Sequence, residues 1–306
     1  MADEDELSLT FDSSMLPAGR LETVAPLIRR RVAPNAGPFT ASGTCTYVVG
    51  HGCVAILDPG PDDTAHIEGL LQDLASEQVE AIVVTHTHRD HSPGARLLAA
   101  RTGAPIVGCG PHRAARPLTA EEAPLLDASA DRAHAPDRVM REGDTVAGPG
   151  WTLVAVETPG HTMNHLAFAL PETQALFPGD HVMAWSTTIV APPDGEMRAY
   201  MESLEKLRGR SETVYWPGHG GPVSDPARFL RGLAGHRRQR EAAIRGRIAA
   251  GDVRIPEIVA AIYQGLDPRL RGAAALSVYA HLEDLVERGL VACEGAPSLD
   301  TRYAPA

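Results

Sequence analysis

The stretch that most limits what this chain can fold into is Thr85–His91, which reads Thr-His-Thr-His-Arg-Asp-His. It follows the β-branched and apolar run Ala81-Ile82-Val83-Val84, a buried strand by its pattern, and precedes Ser92-Pro93-Gly94 and a helical pattern over Ala95–Arg101. The histidines and the aspartate therefore fall where a strand ends and the chain turns, at the carboxyl edge of a sheet, where loops can aim several side chains at one point. His86 and His88 flank Thr87, so in an extended segment they point to the same side. Asp90 and His91 follow at the bend and can face a second point close by. Imidazole with carboxylate suits Zn²⁺, or Fe and Mn as oxygen ligands increase. A polar loop or a single helix-capping histidine would explain one such residue; four potential ligands in six residues read as a metal site.

The run His86-Thr87-His88-Arg89-Asp90-His91 resembles the H-x-H-x-D-H signature of the metallo-β-lactamase-fold hydrolases. Further along, the strand-like Leu153–Glu157 leads into Thr158-Pro159-Gly160-His161-Thr162. Ala175–Phe177 ends in Pro178-Gly179-Asp180-His181, and Val214-Tyr215-Trp216 in Pro217-Gly218-His219-Gly220. Each time a strand runs into a Gly-bearing turn that offers one ligand. The resemblance implies that His86, His88 and His161 bind a first metal, that Asp90, His91 and His219 bind a second, and that Asp180 bridges them. It implies two divalent ions, Zn first and Mn or Fe as alternatives, with Asp90 and Asp180 as the catalytic carboxylates. It also implies an α/β fold, a four-layer αββα sandwich, with Asp58 supporting the metal loop rather than ligating. His165 and His181, beside ligands, are expected to stack or hydrogen-bond.

A chain of 306 residues with 43% hydrophobic residues can bury one large core or two ordinary ones. The acidic start Met1–Glu6 has no apolar core, so no signal peptide is expected, and no run of apolar residues is long enough to span a bilayer. Cys45, Cys53, Cys109 and Cys293 lie far apart, which suits free buried thiols and a cytoplasmic protein. The net charge of −11 disfavours indiscriminate binding to nucleic acid or anionic lipid.

Leu21–Arg31 reads as one strand entering the sheet, and Cys45–Val49 with Val54–Leu57 as a hairpin around Gly50-His51-Gly52, His51 being solvated in the turn. Asp62–Ser76 carries a helical stripe. Val139–Arg141, Leu153–Glu157, Leu166–Leu170 and Ala175–Phe177 read as consecutive strands of a second sheet. Between the two groups Pro111–Asp137 has no clear period and is expected to lie near the site as a lid or substrate wall, or else as a surface loop. Its His112 and His134 are not assigned to the metal. Helical patterns over Phe229–Ala249, Ile255–Gln264 and Ala273–Arg288, followed by β-runs at Leu290–Cys293 and Thr301–Ala304, divide the chain into a catalytic domain, 1–225, and a small helical winged-helix domain, 226–306. Here His236-Arg237-Arg238-Gln239-Arg240-Glu241 and Ala280-His281-Leu282, with Trp185-Ser186-Thr187-Thr188 and Pro192-Pro193-Asp194-Gly195 earlier, resemble the beta-lactamase-like protein 2 group.

The reaction expected is hydrolysis of an ester, thioester or related acyl bond in a small molecule. Cleavage of single-stranded RNA and a non-catalytic metal-binding regulator are the alternatives. Asp180 argues against antibiotic hydrolysis, because β-lactamases of this fold generally lack the bridging aspartate. Thr187 and Thr188, just past Asp180, are expected to contact substrate, and Ser186 to line the pocket without acting as nucleophile. The expected partners are the small-molecule substrate, with RNA and a second copy of the chain as further options, and no membrane. Arg231, Arg238 and Arg245 form one helical stripe; a solvated face is preferred for it over a phosphate-tracking strip, and Leu230, Leu233, Ile244 and Ile248 form the face that packs inward.

Overall fold

A computed structural model describes residues 10–118, 122 and 129–306. Two sheets carry the catalytic part. The first has the order β1-β2-β3-β4-β5-β6-β7, with β1 at Leu21–Ala25, β2 at Ile28–Val32, β3 at Cys45–His51, β4 at Cys53–Leu57, β5 at Gln78–Val84, β6 at Ile106–Gly108 and β7 at Arg138–Val139. Its first four strands pair antiparallel and the last four parallel, β4 belonging to both sets. The second has the order β12-β11-β10-β9-β8, with β8 at Thr145–Gly148, β9 at Trp151–Glu157, β10 at Leu166–Leu170, β11 at Ala175–Phe177 and β12 at Val214–Tyr215.

Alternation along β10 shows how the layers stack. Leu166, Phe168 and Leu170 point into the core between the sheets. Ala167 and Ala169 face the other way, onto helices. On the far side of the first sheet, Ile67 and Leu70 of α1 (Thr64–Asp73) and Leu98 of α2 (Gly94–Thr102) close the same core. On the far side of the second lie α3 (Met197–Arg208) and the first half of α4 (Pro226–Ala249). The order is helices, sheet, sheet, helices, as expected.

Three local expectations change. Leu21–Arg31 is two strands, β1 and β2, folded on each other about Leu27, whose φ is +62°; an amphipathic run of this length hides a turn when no Gly marks it. The Val139 segment pairs parallel with β6 and so closes the first sheet, while the outer strand of the second is β8. Side-chain alternation cannot tell which of two sheets a short strand joins. Helix α3 was not expected, although Met197, Tyr200, Leu204 and Leu207 are its buried residues at helical spacing.

Helix α4 begins at a cap, where Asp225 accepts from Arg228 N at 3.0 Å and Pro226 takes the first turn. It spans two cores. Leu230, Leu233 and Ala234 pack with α3 and the second sheet. Ile244 and Ile248 pack with α5 (Ile255–Ile262), α6 (Arg271–Glu287) and the hairpin of β13 (Val291–Cys293) with β14 (Tyr303–Pro305). A boundary at 226 therefore falls at the start of a helix that is shared by both units. Arg231, Arg238 and Arg245 are all exposed on it. Among the described residues no helix is long and apolar enough to cross a membrane.

Candidate metal centre

Four strand ends deliver the site. The turn after β5 carries His86, His88, Asp90 and His91; those after β9, β11 and β12 carry His161, Asp180 and His219. The turns come close enough that side chains are forbidden at points between them. A Cβ on Gly218 would stand 2.4 Å from Asp180 Oδ1 and 2.7 Å from the His91 ring, and one on Gly179 2.7 Å from His165 Nε2.

All seven candidate ligands converge. His86 Nε2 and His161 Nε2 lie 3.2 and 3.0 Å from His88 Nδ1. His219 Nε2 lies 3.2 Å from His91 Nε2 and 3.1 Å from Asp90 Oδ2. Asp180 stands between the two sets: Oδ1 is 3.4 Å from His91 Nε2, and Oδ2 is 3.2 Å from His219 Nε2 and 3.8 Å from His161 Nε2. The groups His86–His88–His161 and Asp90–His91–His219 each hold ligand atoms within 4.8 Å of one another.

The outward ring nitrogens are pinned, which fixes the inward ones as lone-pair donors. His86 Nδ1 meets Thr85 Oγ1 at 2.9 Å, and that hydroxyl donates to Asp58 Oδ2 at 2.7 Å. His91 Nδ1 reaches the same Asp58 oxygen at 3.0 Å. His161 Nδ1 faces Ile189 O at 2.7 Å, and His219 Nδ1 faces Gly43 O at 3.2 Å. Asp58 also groups geometrically with His86 and His91, but Oδ1 accepts from Thr85 N at 2.8 Å and Oδ2 is taken as above. It supports the loop.

His88 is turned the other way, with Nδ1 inward and Nε2 2.6 Å from Asp194 Oδ2. His112 approaches the other oxygen of Asp194 at 3.2 Å and is held at Nδ1 by Thr87 Oγ1 at 2.7 Å. Reading the sequence missed Asp194 as a site residue. Only its place in a Pro-Pro-Asp-Gly turn marks it, and its partner lies 106 positions away.

The charges call for a cation. Burial alone would raise the Asp180 carboxyl, yet the His219 and His91 imidazoles beside it hold it well below the usual carboxylate range; Asp90 is held low in the same way. Burial pushes His86 well down, and burial together with His88 pushes His161 down to about 4, leaving both rings neutral and ready to ligate. Against burial, Asp180 and Asp90 draw a proton onto His219, raised to about 10. Asp180 Oδ1 is buried with no hydrogen-bond partner among the described residues, an arrangement that costs free energy unless a cation meets it. The donor set fits divalent metal ions.

Other expected residues take supporting places. Thr188 Oγ1 donates to Asp180 O at 2.7 Å and His181 O at 3.0 Å, and its own carbonyl accepts from the buried Arg237 of α4. It braces the Asp180 turn from within the protein. Neither it nor Thr187 lines the cavity beside the metal centre, where Ile189 stands instead. Ser186 Oγ bonds Thr187 O at 3.3 Å. His165 accepts from Asp180 N at 3.2 Å, and His181 packs on Tyr200 with ring centroids 4.5 Å apart. His134 reaches Cys109 O at 3.1 Å, away from the cluster. Of the Pro111–Asp137 insertion, residues 119–121 and 123–128 lie outside the described residues. Its described far end runs along the metal loop, where Arg89 N donates to Ser129 O at 2.9 Å and Asp131 N to Thr87 O at 2.7 Å.

A cavity of about 590 Å³ opens onto His88, Asp90, His161, Asp180 and His219. Its walls are otherwise mainly apolar: Phe39, Met183, Ile189, Pro192, Ala273 and Leu276.

Residues 40–219 match the family model described as the metallo-beta-lactamase superfamily, and residues 255–298 that of the beta-lactamase associated winged helix domain. The chain is 32% identical over 230 residues to the beta-lactamase-like protein 2 homolog of Caenorhabditis elegans, covering 73% of this chain and 72% of that one. It is 29% identical over 274 residues to a protein of Aspergillus terreus named atrochrysone carboxyl ACP thioesterase, covering 83% of this chain and 77% of the relative. A solved beta-lactamase domain protein from Burkholderia ambifaria superposes with a TM-score of 0.77 at 23% identity, covering 99% of both chains. At that identity the likeness is one of fold.

Proposed function

The chain belongs to the metallo-beta-lactamase superfamily, and from that premise we propose that it is a metal-dependent hydrolase of an ester or thioester bond in a small-molecule substrate. The observation that carries this reading is the cavity: a mostly apolar chamber that ends on the histidine and aspartate cluster. An uncharged acyl group fits such walls, whereas a polyanion would need cations along them. Arg89 is the sole Lys or Arg among the described lining residues. The thioesterase name of the Aspergillus terreus relative supports the same reaction class.

His86, His88 and His161 would hold one divalent ion, Asp90, His91 and His219 a second, and Asp180 would touch both. Zn is the first expectation from so many imidazoles, Mn or Fe the next. Such ions, when bound, lower the pKa of water towards ~7 and polarise the carbonyl under attack. The protein's own share is placement. Thr44 Oγ1 holds Asp90 Oδ2 at 3.2 Å, and Asp90 also lines the cavity; this carboxylate would orient the attacking water. Water then adds to the acyl carbon, and the alcohol or thiol leaves with a proton. The chamber's apolar face keeps bulk water away from the acyl group.

Two observations favour the acyl reading over the RNA alternative. Arg231, Arg238 and Arg245 are solvated and none lines the cavity. On α6, Glu283 is paired with Arg116, while Asp284 and Glu287 are paired with Arg198, so this face of the helix is engaged with the catalytic part. Metal analysis of the purified protein, followed by parallel assays on thioesters, esters, lactones and single-stranded RNA, tests the proposal. Bound divalent metal with turnover on acyl substrates and none on RNA is expected; turnover on RNA alone would reverse the reading.

A further inference from the structure

The chamber is not built by one unit of the chain. Ala273 and Leu276, one turn apart on α6, line it, and α6 lies within the segment matching the winged-helix model. This helix is fastened against the catalytic part at several points. Arg116 Nη2 donates to Glu283 Oε1 at 2.6 Å and to Tyr279 Oη at 3.0 Å. One residue earlier, Ala115 N donates to Pro193 O at 2.8 Å, tying the same segment to the loop that forms the facing wall. From below, Arg198 of α3 pairs with Asp284 at 3.3 Å and Glu287 at 2.9 Å. Ala280 packs into the core shared by α3, α4 and the second sheet.

The consequence is a wall of fixed position with small or apolar side chains at its surface. Ala273 offers only a methyl group, so the room at that point is set by the absence of a larger side chain. Leu276 is the bulky neighbour. Met183, Ile189 and Pro192 come from the turn after β11 and the loop that follows, and Phe39, 49% exposed, stands at the rim.

We propose that this chamber is an acyl-group pocket shared by the two units, in which Ala273 and Leu276 of α6 set the size of the acyl group that reaches the metal centre. The ligand class is an uncharged alkyl or aryl acyl group, its carbonyl at the histidine and aspartate cluster and its tail between α6 and the loop carrying Ile189 and Pro192. This rests on the acyl-hydrolase reading above. Each methylene moved from water into such walls tightens binding about fourfold. Affinity therefore climbs along a homologous series until the chamber is full and then stops.

The test uses the metal-loaded full chain and two readouts: calorimetric binding of product acids from acetate to octanoate, and kcat/KM for the matching acyl esters. Wild type should tighten about fourfold per methylene over the shorter acids. Ala273→Phe should cut the series short, weakening octanoate at least about tenfold and leaving acetate and metal content unchanged. Leu276→Ala should extend it to longer acids, so a folding failure of one variant leaves the other to decide. An unaltered length profile in the folded variants overturns the proposal, as does an equal loss for acetate and octanoate, which would make α6 mere support. If acids bind with the expected profile and no ester is cleaved, the acyl-hydrolase reading falls and the pocket stands. If esters of all lengths are cleaved alike, the pocket falls and the hydrolase stands. Neither binding nor cleavage sinks both.

Discussion

The metal centre and the chamber wall above it are made by opposite means. The centre is polar, buried and over-determined: four strand-end turns supply it, and each outward ring nitrogen of its histidines has a partner of its own. The wall is mainly apolar and assembled from separate pieces, the rim at Phe39, the stretch Ile189–Asp194 and α6, none of which carries a metal-ligand motif. The contrast separates two kinds of information. Chemistry is held by rigid short-range geometry, so a single atom removed there is costly. Selectivity is held by which surfaces happen to meet, so it tolerates substitution and changes by degrees.

The sharpest way to break the comparison is at Asp180. Asp180→Ala should lose at least one metal equivalent and lower turnover more than about 100-fold, beyond the range for residues that only support ligands. Elemental analysis and kcat measure it; full metal content with full activity would rule out a bridging role for the carboxylate. Asp194 sits where the two regions touch, since it holds His88 Nε2 and also lines the chamber. Asp194→Ala should weaken metal binding about 10–100-fold in a chelator competition, with a smaller change in the acyl-length profile. The reverse pattern would place it with the wall.

Over mildly acidic pH the smallest effect concerns the join between the units. His281 on α6 is buried, with neither ring nitrogen bonded among the described residues. Burial, with Arg237 and Arg240 nearby, pushes its pKa down to about 3. Unfolded chain takes up this proton near pH ~6.5, whereas the folded protein stays neutral until far lower. The stability is thus intact above pH ~6.5 and falls as pH drops from there towards about 3, by up to ~1.4 kcal/mol per pH unit. Thermal melts from neutral to mildly acidic pH should show a shallower decline for His281→Leu than for wild type. Parallel declines would assign the acid loss to the metal centre instead.

The sequence by itself determined that seven donors of the right chemistry occur in four turns, because strand, Gly and ligand are neighbours within a few residues and the chain's local stiffness couples them. It also determined the helices of the C-terminal part, whose apolar residues recur at helical spacing, and the existence of two groups of strands. Helix α3 carries the same periodicity in Met197, Tyr200, Leu204 and Leu207, a short stripe between conspicuous Gly-bearing turns. What only the tertiary structure decided depends on contacts between distant segments. Asp194 looks like any turn carboxylate until the fold sets it against His88. Thr188 looks like a pocket residue until its hydroxyl is seen holding Asp180 O and its carbonyl receiving Arg237. The Val139 strand could join either sheet until β6 claims it, and α4 reads as the start of a second unit until half of it packs in the first. Periodicity reports which face of an element is apolar. It does not report which apolar face it will meet, and that meeting is where Ala273 and Leu276 become a wall of the chamber.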